Sequence, residues 1–292
     1  MIVSSKCKHT IGGQAVMEGV MMRSRYNMAV AVRRPDKKIS VRKTEIDSWQ
    51  KKWSFFRWPF IRGIYSLFET LITGIEALTY SANESIEDGD DKISKKELVI
   101  TLGIAILFAV GLFVILPFVL SRLITKDDFA FNIIDGVIRI FVFLLYILII
   151  SRIKDIKTIF QYHGAEHKAV HAYEAGKKLT VKEAKPFSTL HPRCGTSFLI
   201  IVLVISIIVF SLIMTKSWII KLLSRIILLP IIAGVSYEFL KLTAKYQGSS
   251  FFRIISVPGL ALQRLTTSEP DDKQLEVALK SLSSVLSMEN GK

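Results

Sequence analysis

Residues 98–120 form a run of 23 positions without one charged side chain. As a helix the run reaches ~34 Å, more than the roughly 30 Å of a bilayer's hydrocarbon core. Inside lipid each backbone N–H and C=O must find its partner within the segment, so the run predicts a membrane-spanning helix. Pro117 lies near its end and is expected to bend it. Three further stretches predict spans. Residues 133–151 are apolar except for Asp135 and Arg139, which stand four apart and can pair on one face near the membrane edge. Residues 195–215 are uncharged. Residues 217–239 carry Lys221 and Arg225 near their start, where long side chains can snorkel to the interface.

Half of the 292 residues are hydrophobic and the mean hydropathy is +0.40, too apolar for an ordinary soluble domain. The net charge of +14 is therefore read as basic loops beside anionic lipid, and no nucleic acid is expected. Arg23, Arg25, Arg33, Arg34, Lys37, Lys38, Arg42 and Lys43 precede the first span, and the loop 152–193 is also basic. The positive-inside rule places both termini and that loop in the cytoplasm. Two cysteines, Cys7 and Cys194, make no disulfide framework and suit a reducing compartment. The polar first ten residues, followed by Gly12, Gly13 and Glu18, predict no cleavable signal peptide.

The expected fold is mainly α: a polytopic membrane protein with four transmembrane helices, interfacial helices and a small N-terminal β-hairpin element. Residues 1–53 read as a cytoplasmic β-rich segment with a Gly-rich motif. The hairpin signal is apolar alternation on both sides of Pro35-Asp36. Residues 54–97 read as an amphipathic helix and a polar linker. There Arg62, Glu69 and Glu76 recur every seven residues, which suits a helix lying in the interface or packed with its polar face inward. Residues 98–250 hold the four-helix core and a His-rich loop. Residues 251–292 hold an interfacial segment broken at Pro258-Gly259 and a final helix, with Leu275, Leu279, Leu282 and Leu286 as its stripe.

Chemistry concentrates in that loop. Of only five histidines, three stand four apart, at His163, His167 and His171, and His191 follows. Helical spacing puts His163 and His167 on one face, able to grip one metal ion, with Glu166 beside them. The string from His163 to His167 fits the H-x-x-E-H pattern, in which two His bind zinc and Glu is the base. A solvated polar helix face is the plain alternative. His171 lies about 80° from His163 around a helix and is the weaker ligand. His191 and Cys194 add borderline-soft ligands, and Glu238, at the cytoplasmic end of the fourth span, can complete a shell. Cys194 equally suits a tight turn before a helix, and Glu238 an interfacial anchor beside Lys241. The cofactor expected is a divalent transition metal. Zinc suits the ligands best, although the letters do not separate it from iron or manganese. In the string from Gly12 to Arg23, Glu18 is a candidate acid, base or ligand, and a structural strand and turn is its alternative.

Four strings carry a resemblance: Gly12 to Arg23, Tyr162 to Lys168, His191 to Thr196, and Pro258-Gly259-Leu260 through Glu269-Pro270. They run nearly end to end, in order, and resemble the YqhQ-like family of bacterial membrane proteins. That family is of unknown function and is often described as metal-dependent enzymes by prediction. The resemblance implies a multi-pass bacterial inner-membrane protein with a cytoplasmic polar site. It supplies no reaction. Two readings follow: a metal-dependent, hydrolase-like enzyme with Glu166 as base, or a non-catalytic scaffold or assembly factor with a structural metal or none. A transporter, resting on Asp135 and Arg139, is a third. Membrane lipid is the expected partner, beside an unknown substrate or protein.

Overall fold

A computed structural model describes residues 9–86, 93–246 and 249–290. Cys7, the polar N-terminal residues and the middle of the linker after residue 86 lie outside them. The N-terminal segment is a four-stranded antiparallel meander in sequence order: β1 (Gly12–Val16), β2 (Gly19–Arg23), β3 (Asn27–Arg33) and β4 (Ile39–Glu45). The expected hairpin is present as β3 and β4, with Ala31 opposite Val41, and the sheet extends it by two strands.

Apolar residues of the inner strands alternate between two cores. Val20, Met22, Ala29 and Ala31 face one side; Met21, Met28, Val30 and Val32 face the other. Burial on both faces is why β2 and β3 read as continuous apolar runs. The first face is covered by α6 (Lys154–Glu174) and α12 (Asp272–Asn290), the second by α2 (Ile61–Glu84). The expected stripe of α12 is the one that packs here, with Leu275, Leu279 and Leu282 buried. A short helix, α1 (Trp49–Lys52), and one 3₁₀ turn link β4 to α2. The face of α2 bearing Arg62 and Glu69 turns inward, toward Glu238 and Arg23, while Glu76 stays exposed.

The first predicted span is a helical run of 30 residues: α3 (Lys95–Val110), a π turn (Gly111–Ile115) and α4 (Leu116–Ile124). Ser94 and Glu97 form a capping box at its start. The π turn ends two residues before Pro117, whose missing N–H and bulky ring demand a local irregularity. The second span is α5 (Asp128–Ile150). These two helices are long and apolar enough to cross a membrane, and α9 (Trp218–Ile227) with α10 (Leu229–Lys245), bent by 46°, makes a third candidate. α8 (Gly195–Ser211) is apolar but has only 17 residues. Among the described residues, the four expected spans thus become two or three by length.

Two further expectations are corrected. Lys221 and Arg225 do not snorkel; both are buried. Lys221 reaches Asp128 at 2.6 Å, and Arg225 reaches Asn132 Oδ1 at 2.6 Å and Asp135 at 3.5 Å. Asp135 pairs with Arg139 at 2.6 Å as expected, inside the helix packing. A lone buried charge is costly, so these pairs tie α9 to one position along α5. The segment after residue 250 is not broken: α11 (Ser250–Thr266) runs through Pro258. A short α7 (Val181–Ala184) completes the helices.

Candidate metal centre

Helix α6 carries two adjacent stripes. Tyr162, Ala165, Ala169 and Ala172 pack in the core shared with the sheet and α12. His163, Glu166, His167, His171 and Glu174 form the next stripe. Its histidines meet the 189–194 turn and the end of α11.

The Nδ1 of His163 lies 2.8 Å from the Thr266 carbonyl, and the Nδ1 of His167 meets the Thr189 carbonyl. A carbonyl only accepts, so each ring donates from Nδ1 and presents Nε2 as a lone pair. Metal-binding imidazoles are oriented in this way. His163 Nε2 is 3.2 Å from Cys194 Sγ. His167 Nε2 is buried with no hydrogen-bond partner, and the Glu166 carboxylate stands 3.4 Å away. Cys194 is the N-cap of α8, and its sulfur accepts the Thr196 N–H. The ligand atoms of His163, His167 and Cys194 all lie within 4.8 Å of one another. Two oriented imidazoles, one with an orphaned buried nitrogen, and a thiol fit a borderline-soft transition ion.

Glu166 is 5% exposed and receives the backbone N–H of Gly13. A Cβ at position 13 would stand 2.7 Å from the Glu166 side chain, so glycine lets β1 approach α6. Burial raises the Glu166 carboxyl above the usual carboxylate range; His163, His191 and the Gly13 N–H pull it partly back.

A second group joins His171, Glu174 and His191, again within 4.8 Å. Here the contacts run to the turn, although Glu174 Oε1 has no hydrogen bond. His171 Nε2 donates to the Leu190 carbonyl at 2.9 Å, His191 Nδ1 accepts the Arg193 N–H at 3.2 Å, and the Arg193 guanidinium rests on Glu174. Gln263 is fully buried; it accepts the N–H of His191 at 2.8 Å and donates to its carbonyl at 2.9 Å, pinning the turn to α11. The second group therefore holds the turn, and in the first His167 Nε2 is the atom left without a hydrogen bond.

The structure separates residues that the sequence assigned to one shell. His191 and His171 go with Glu174, while Cys194, three residues past His191 and beyond the turn, goes with His163 and His167. Glu238 joins neither group, because α10 packs on α2 and delivers it to Arg62, which donates from Nε at 2.6 Å. Glu18 sits exposed in the β1–β2 turn at φ 48° and accepts from the Tyr162 hydroxyl at 3.2 Å, outside both groups. Glu174 was missed, although its position three residues after His171 continues the stripe. The carbonyls of Thr189 and Thr266 carry no signal in side-chain composition.

The remaining motif residues meet here too. Lys168 is buried and reaches Glu269 at 2.6 Å and the Lys185 carbonyl at 2.7 Å. Gly164 lies against the Ser268 carbonyl.

Burial lowers His167 and His191 and takes His171 to about 4. An unfolded chain binds protons at these sites below about 6.5 that the fold refuses. Stability from this source is complete above that pH and is lost as pH falls toward the folded values. In chelator-treated protein, thermal unfolding should show a loss of about 1 kcal/mol for His171 alone between pH 7 and pH 5, allowing for its partial exposure. An unchanged midpoint contradicts the burial argument.

The sequence profile of a family described as protein of unknown function (DUF1385) matches residues 58–288. The uncharacterized protein YqhQ of Bacillus subtilis (strain 168) is 33% identical over 295 residues, an alignment covering 95% of this chain and 92% of that protein. No solved structure matches the chain.

Proposed function

Because the chain belongs to the DUF1385 family, whose description names no reaction, we propose from the site itself a metal-dependent membrane enzyme of hydrolase type. His163, His167 and Cys194 hold one divalent transition ion, zinc being best suited to two imidazoles and a thiolate. The ion supplies Lewis-acid chemistry. Glu166 holds and moves the proton, from a carboxyl that burial raises above the usual carboxylate range. The observation that carries this reading is the buried His167 Nε2, left without a hydrogen bond beside two further ligand atoms. His191, His171 and Glu174 position the turn that delivers Cys194.

We place the protein in a bacterial cell membrane with four spans, α8 and the bent α9–α10 pair included. Both termini and the histidine helix lie on the cytoplasmic side, on the charge of the flanking loops. Cysteine labelling checks this: a cysteine at Lys178 should be shielded from outside and one at Lys126 accessible. The reverse pattern inverts the topology.

A non-catalytic scaffold is the second reading. It is favoured by the burial of Glu166 between Gly13 and His167, which leaves the carboxyl little access to a substrate. Glu166→Gln separates the two. Gln keeps the shape and cannot take the proton, so an enzyme should lose at least about 100-fold of its activity in complementing a deletion strain, with membrane level and metal content unchanged. Full complementation at normal level selects the scaffold.

A further inference from the structure

Beside the contact of α2 with the sheet lie two adjoining cavities of opposite character. One is an apolar groove of about 810 Å³ between α2 and the ends of β3 and β4, walled by Trp49, Phe56, Ile64, Phe68 and Ile72. The other, about 430 Å³, is lined by Arg23, Arg25, Arg57, Arg62 and Lys241. Glu69 is a wall of both. It pairs with Arg23 at 2.9 Å, and Glu238 pairs with Arg62. Counting both carboxylates, the lining of the smaller cavity keeps an excess of three positive charges. Around the groove large apolar side chains stay exposed, among them Trp53, Trp58 and Phe60. Aromatic clusters of this kind sit at the headgroup level of a bilayer. Because α2 packs on α10, part of a candidate span, the two cavities stand beside membrane-crossing structure.

We propose that the paired cavities bind an anionic phospholipid, with its phosphate among Arg25, Arg57 and Lys241 and an acyl chain in the apolar groove. Arginine forks match phosphate oxygens, and the charge-assisted bonds form beside a low-dielectric medium. Glu45, Asp47 and Glu76 line the groove. Their charge repels a phosphate, so the headgroup is driven to the cationic cavity and the chain's orientation is fixed. The proposal does not rest on the metal reading.

The chain reports on this site itself, since Trp49, Trp53 and Trp58 are three of its four tryptophans. Full-length protein in a neutral detergent, stripped of lipid, is titrated with phosphatidylglycerol carrying brominated chains, which quench nearby indoles. Quenching should be half-complete at a concentration at least about tenfold lower than with brominated phosphatidylcholine, because three excess cations favour the anionic headgroup. Arg25→Ala with Lys241→Ala should bring the two lipids level; Arg25→Lys with Lys241→Arg should keep the preference and thereby exclude misfolding. Ile72→Asp should weaken both lipids. Equal quenching of the parent protein by the two lipids overturns the headgroup site. Displacement of the anionic lipid by millimolar inorganic phosphate as readily as by unbrominated phosphatidylglycerol overturns the lipid in favour of free phosphate.

Discussion

The His163→Ala/His167→Ala protein should purify with less than about one tenth of the parent's metal, which we expect at roughly one transition ion per chain. Each ring is held by a backbone carbonyl on Nδ1 and offers only Nε2. Removing both leaves Cys194 as the sole member of the group, and one thiol does not hold a borderline ion against a chelator. Membrane insertion should be unaffected, because both histidines lie on α6, outside the candidate spans. His171→Ala, by contrast, should retain at least about half of the metal, because His171 lies outside the His163, His167 and Cys194 group and its Nε2 is taken by the Leu190 carbonyl. Elemental analysis of the purified variants decides it. Full metal retention by the double variant removes the centre as drawn, and equal loss in His171→Ala moves it to the second group.

Gly164→Ala is expected to destabilise the protein, against the ordinary sign of that change. In an exposed helix interior alanine is better than glycine by about 0.5–1 kcal/mol. Here the added Cβ would stand 2.1 Å from the Ser268 carbonyl, in a segment tied to α6 by the bond from Ser268 N–H to the Phe160 carbonyl. The backbone must move, and overpacking of this kind costs about 1–3 kcal/mol. A fall of several degrees in unfolding midpoint follows for a chain of this size. Thr266, two residues before Ser268, would be displaced with it and would loosen its hold on His163. Metal affinity should therefore fall roughly tenfold, the usual scale for losing an orienting partner. A midpoint raised to the value of a free helix position would show that α6 and the 266–268 segment are not in contact.

The sequence was most legible where one physical rule dominated. Absence of charge over residues 98–120 marked a span because lipid tolerates little else. The spacing of His163 and His167 marked their shared face because the helix has one period. Legibility failed where partners came from far along the chain. Nothing near Glu238 shows that Arg62, 176 positions away, will take its carboxylate. Lys221 and Arg225 looked like interfacial side chains because their acceptors, Asp128 and Asn132, belong to another helix. His191 and Cys194, close in sequence, were read as one shell, and the turn between them sends each to a different group. Motif strings were informative as a set: Gly13 touches Glu166, Gly164 touches Ser268, and Lys168 reaches Glu269.

The sheet of residues 12–45 and the helix of residues 272–290 close on α6 from opposite ends of the described chain. This sets an order of events during biosynthesis. At ribosomal speeds of about 5–20 residues per second, α6 emerges many seconds before the last helix. During that interval its alanine face has no complete partner, and His163 has no Thr266 carbonyl to set its tautomer. The histidine stripe is thus chemically immature until the final segment docks.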